Sequence, residues 1–148
     1  MAEAKNSRGH YIICGHGRVG ETICDILREK KAPFVIVEKD ADIARKLEKE
    51  GMTVVEGDAT RAKVLLSAGI ERAKGLVSLL SLDSANVFVV LTAKELRPEM
   101  PVASRAFSEE VVGKMHKAGA SLIVLPEIIG GVELAEKALE AVGAKVKK

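Results

Sequence analysis

Residues 11–38 read YIICGHGRVGETICDILREKKAPFVIVE, and they decide the fold. Tyr11-Ile12-Ile13-Cys14 is a short unbroken apolar run, the form of a strand buried on both faces. It enters Gly15-His16-Gly17-Arg18-Val19-Gly20, after which Val19, Ile23, Ile26 and Leu27 recur at helical spacing. A second apolar run, Phe34 to Val37, follows. Strand, glycine turn, helix and strand make a β-α-β unit. In that setting the glycines have separate duties: Gly15 permits the tight turn, Gly17 lets a pyrophosphate approach the backbone, and Gly20 lets helix and strand close together. The first amides of the helix then point at phosphate. The alternative for the same residues is a tight β-α turn that holds no ligand.

Glu38 ends the second strand 18 residues after Gly20, where a carboxylate accepts hydrogen bonds from adenosine ribose hydroxyls and repels a 2′-phosphate. The expected ligands are therefore NAD(H), ATP, ADP or AMP before NADP(H), although Lys39 next door softens the exclusion. Arg18 lies inside the loop, within reach of a terminal or bridging phosphate; the alternative is a solvated first-turn arginine.

Working outward, apolar runs and helical periods keep alternating. Thr53 to Val55, Leu76 to Leu80, Val102 to Ser104 and Leu122 to Leu125 read as four more strands, with helices between them stopped by Gly51, Gly69 and Gly119. Asp40, Thr60 and Ser108 are candidate helix caps. The expectation is an α/β, Rossmann-like, doubly wound sheet of six parallel strands ordered 3-2-1-4-5-6 with flanking helices. Asp58 and Asp83 follow the third and fourth strands at the carboxyl edge, where ligands bind in such sheets; each could equally be a cap. His16 reads as projecting outward from its loop, and His10 and His116 read as surface or strand-edge residues. A last helix over 127–142 carries a wide apolar stripe that suits either its own sheet or a partner.

With 148 residues, 47% of them apolar, the chain holds one domain with a full core. The expected division is a flexible segment 1–8, a nucleotide-binding domain 9–143 and a basic tail 144–148. A net charge of +2 from intermixed signs, with aromatics at 3%, argues against nucleic acid as a partner. Cys14 and Cys24 sit in apolar sequence and read as buried, reduced thiols, not as a disulfide or a metal site. The longest apolar run falls far short of the ~20 residues that span a bilayer, so a soluble cytoplasmic chain is expected.

Taken together, the glycine loop with its arginine, Glu38, Gly57-Asp58-Ala59-Thr60, Ser81-Leu82-Asp83-Ser84-Ala85-Asn86, Ala118-Gly119-Ala120 and Leu125-Pro126-Glu127 resemble the nucleotide-binding half of the regulator of K+ conductance (RCK) domains, also called KTN or Trk-type N-terminal domains. The resemblance implies a cytoplasmic regulatory domain at the inner face of the membrane. It would dimerise, often build an octameric ring, and gate a potassium channel or transporter on the same or a separate chain. Candidate cofactor-binding residues are Gly15, His16, Gly17, Arg18, Val19, Gly20, Glu38, Lys39, Asp58, Ala59, Asp83 and Arg105, the last matching an arginine that follows the fifth strand in the family. No catalytic or metal-ligating residue is expected. The family's second ligand-binding subdomain has no counterpart here, so the chain is a minimal member, a fragment or a subunit of a split system. One acid, Asp83, without a glutamate pair near the fifth strand, is far short of the six to eight oxygens calcium takes. The rival is a small NAD-dependent oxidoreductase domain, which would need a positioned acid or base beyond the cofactor site.

Overall fold

The computed structural model describes residues 2–143. Six strands form one parallel sheet in the order β3-β2-β1-β4-β5-β6: β1 (Tyr11–Cys14), β2 (Phe34–Glu38), β3 (Val54–Glu56), β4 (Gly75–Ser78), β5 (Val102–Arg105) and β6 (Leu122–Val124). The chain starts in the middle with β1, winds outward to β3, then returns to β4 on the other side of β1. That reversal opens a crevice at the carboxyl ends of β1 and β4.

Both faces of the inner strands are covered, which is why β1 shows no polar alternation. Ile13 packs with Ile36 and Val54 under Cys24 of α2 (Arg18–Glu29) and Ala44 and Leu47 of α3 (Ala41–Lys49). Ile12, Val35, Val37 and Leu76 face the other way, onto Leu65 of α4 (Ala62–Ser67), Val89 and Val90 of α5 (Asp83–Leu96) and Met115 of α6 (Val112–Ala118). The α2/α3 layer stops short of the far half of its face. In register from Ile13, the row Val77, Ala103, Leu122 leads away from those helices, and Leu122 is 58% exposed. A shallow apolar cavity of about 370 Å³ lies there, walled by Tyr11, Val77, Ala103 and Leu122. Helix α7 (Pro126–Ala141) does not cover it: none of its residues is buried, and Ile129, Val132 and Leu134 are all more than half exposed.

Three local expectations change. Where a loose segment 1–8 was expected, α1 (Ala2–Lys5) forms and Ala4 is buried. The Arg72 guanidinium donates to the carbonyls of Lys5 and Ser7, and Gly9 N–H donates to Arg72 O at 2.7 Å. His10 is a core residue and not a strand-edge one: it is 1% exposed, with Nε2 2.8 Å from Ala68 O. Thr60 caps nothing, because its hydroxyl donates to Asp58 Oδ1 (2.7 Å) and α4 begins two residues later, after Arg61. Asp40 and Ser108 do cap as expected, Asp40 Oδ1 accepting from Asp42 and Ile43 N–H.

Candidate functional site

The glycine loop spans the crevice between β1 and α2. Gly15 has φ +99°, and a Cβ there would stand 2.9 Å from Leu79 O; a Cβ on Gly20 would stand 2.5 Å from Gly15 O. Both positions are closed to any side chain. Gly17, the residue before α2, differs: a Cβ would meet no atom within 4 Å, so the protein itself leaves that space open. Open space in front of helix amides is where a phosphate group fits.

Around the loop lies a cleft of about 470 Å³ lined by His16, Gly17, Glu38, Lys39, Asp58 and Thr60 on the β2/β3 side, with Ile43, and by Leu79, Leu80, Ser81, Leu82 and Ala85 on the β4 side. Glu38 receives His16 N–H on one carboxylate oxygen (3.0 Å) and Asp40 N–H on the other (2.9 Å), which holds it at the mouth. Asp58 Oδ1 accepts from Thr60 N–H (3.0 Å) as well as from the hydroxyl. Those bonds to Thr60 hold its carboxyl below the usual range, with Lys39 and Arg61 adding attraction. The Arg18 side chain is exposed at the first turn of α2 and forms no hydrogen bond or ion pair among the described residues, so it can turn toward a phosphate.

Several candidates lie elsewhere. Val19 is half-buried outside the cleft lining, and Ala59 is 3% exposed within the core. Asp83 is turned away from the cleft; its carboxylate takes Phe107 N–H (2.9 Å) and Ser108 N–H (3.1 Å) and so ties α5 to the loop after β5. Arg105 pairs with Glu127 in the first turn of α7 and lies over the Phe107 ring, 4.1 Å from its centroid. That pair holds the Glu127 carboxyl low. His16 does not point simply outward, for its Nε2 is buried without a partner, and the ring also borders a second groove of about 310 Å³ between α2 and α3. That groove is rimmed by exposed charges of both signs, Glu21, Asp25, Arg28, Lys46 and Glu50, and Gly17 does not line it, so the cleft over Gly17 is the better candidate for a phosphate.

The β4-side wall of the cleft does not figure among the residues expected from the sequence, although the carboxyl-edge rule that selects Asp83 applies equally to Leu80, Ser81 and Leu82 just before it. Among the described residues no cluster of three His, Cys, Asp or Glu side chains is placed to hold a metal, and no helix is long and apolar enough to cross a membrane. Both cysteines are buried; burial pushes the Cys24 thiol up to about 11 and that of Cys14 higher still.

Sheet order and glycine loop together define a Rossmann-type domain. The model of the TrkA-N domain family matches residues 11–126, and the chain belongs to that family. Potassium channel protein 1 of Methanocaldococcus jannaschii is 40% identical over 141 residues, which are 94% of this chain and 42% of the channel. The TrkA-N domain of the inner membrane protein ybaL from Escherichia coli superposes with a TM-score of 0.81 at 25% identity, over 92% of this chain and 98% of that one. The GsuK channel bound to NAD superposes at 0.74 and 30% identity, over 80% of this chain and 22% of the channel, and GsuK bound to ADP at 0.75 and 29%, over 82% and 32%.

Proposed function

We propose that this chain is a regulatory domain that takes NAD(H), or ADP, ATP or AMP, in the cleft over Gly17 and passes its occupancy to a potassium channel or transporter. The observation that carries the reading is the open space at Gly17, in front of the α2 amides, with Glu38 at the end of β2. The phosphates would lie against Gly17 and the Arg18 side chain, and the ribose against Glu38, whose charge disfavours a 2′-phosphate. The NAD and ADP complexes of GsuK support the ligand class. The membrane partner is inferred from the channel relative, of which this chain spans about two fifths. The site acts as a sensor and not as an enzyme, on the cytoplasmic side.

We also assign a homodimer, the unit from which a larger ring would be built. Its support is that α7 and the outer half of the α2/α3 face of the sheet are both apolar and both uncovered in one chain. A ligand shifts such an assembly only by binding one arrangement better than another, by about 1–3 kcal/mol in typical couplings.

Thermal melting with NAD+, NADH, ATP, ADP and AMP tests the ligand. A nucleotide at about 100 times its Kd stabilises the native state by about 2.7 kcal/mol, a clear rise in Tm. No rise with any of the five would sink the proposal.

A further inference from the structure

We infer that Asn86 is the positioning residue of this cleft: it touches no ligand, but sets the β4-side wall against the glycine loop. The inference rests on the nucleotide reading of the cleft. Asn86 lies in the first turn of α5, 0% exposed, on a helix whose other buried residues are Val89, Val90 and Ala93. An amide in such a place is unfavourable unless its hydrogen bonds are made. Here Oδ1 accepts from the Ser78 hydroxyl (2.7 Å) and from Leu80 N–H (2.9 Å), while Nδ2 donates to Leu80 O (3.0 Å).

Asn86 therefore pairs with Leu80 as a neighbouring peptide group would. Leu79 N–H is still bonded to the backbone of β1, through Cys14 O at 2.8 Å, and one residue later the amide side chain takes over. This explains why regular β4 pairing ends at Ser78 although the apolar run continues to Leu82. The consequence reaches the loop opposite. Leu79 O lies 2.9 Å from the place a Gly15 Cβ would occupy, and Leu79 Cδ1 lies 3.6 Å from that of Gly20. Wall and loop therefore meet directly, at backbone on the Gly15 side and through the Leu79 and Leu80 side chains around it. Leu80, Ser81, Leu82 and Ala85 follow directly and line the cleft. Asp83 fastens the far end of the wall to Phe107 and Ser108, so Ser81 and Leu82 are held between two clamps.

Calorimetric titration of the whole chain with NAD+ and ADP tests the assignment in three variants. Asn86→Ala is expected to weaken both nucleotides by about tenfold or more, because Leu80 loses its partners and the wall relaxes. Val90→Ala, at a fully buried position on the same helix, costs stability through its cavity but is expected to leave affinity within about twofold. Asn86→Asp separates positioning from folding. Burial raises its carboxyl, and the protonated acid restores both the donor to Leu80 O and the acceptor, so NAD+ affinity relative to the unsubstituted chain recovers as pH falls from 8 to 6. Wild-type affinity in Asn86→Ala, or an equal loss in Val90→Ala, overturns the inference. If Asn86→Ala does not fold, an Asn86→Asp ratio that stays flat with pH overturns it. Failure of the unsubstituted chain to bind either nucleotide overturns the nucleotide reading itself, a separate and recognisable result.

Discussion

Gly17 and Gly20 stand three positions apart in one loop, and they fail differently when filled. At Gly17, with φ −93°, alanine is sterically free, so Gly17→Ala is expected to leave unfolding free energy within about 0.5 kcal/mol of wild type. Its methyl would occupy the space proposed for phosphate, and nucleotide affinity is expected to drop by about tenfold or more. Gly20→Ala drives a methyl to 2.5 Å from Gly15 O and is expected to cost about 1–3 kcal/mol of stability. Urea unfolding beside a titration separates the two; a Gly17→Ala variant that binds normally would remove phosphate from that space. The places of Gly15, Gly17, Gly20 and Glu38 around the first turn could be read from the sequence because each depends on residues close along the chain or on the next strand. Asp83 and Arg105 could not. Their partners, Phe107 and Ser108 for one and Glu127 for the other, lie 22 to 25 residues away and are chosen by packing.

Most helices and strands are legible for a similar reason, since two buried faces impose unbroken apolar runs and helical stripes. The end of β4 is not legible, because Asn86 replaces a strand partner with a side chain. Helix α1 is too short for any period, and its place depends on α4 and the 3-10 turn Ile70–Arg72. His10 belongs to that junction. Desolvation lowers its pKa below the usual 6.5; the bond to Ala68 O opposes this and the nearby Arg72 charge reinforces it. Below about pH 6.5 the unfolded chain therefore binds a proton that the folded one resists, so stability falls as pH drops through this range. Asp58, held low by Thr60, loses its contribution only nearer its own ordinary value of 3.8. Tm followed from pH 7.5 to 5.5 is expected to decline in wild type and to flatten in His10→Asn. Equal slopes would show that His10 does not carry the effect.

At the scale of the whole molecule, the strand order and the crevice at its reversal follow from β-α alternation alone, and the order expected from the sequence is the one observed. What alternation could not decide was where the apolar stripe of α7 goes, since own sheet and partner demand the same residues. The structure leaves it uncovered by its own sheet. A helix that finds its partner in another molecule makes dilution a denaturant. On the proposed homodimer, the chain's Tm is expected to rise with its own concentration, as mass action requires. Melting across a hundredfold dilution series should show a shift that disappears in Val132→Asp/Leu139→Asp, two changes at exposed α7 positions that leave the described core untouched.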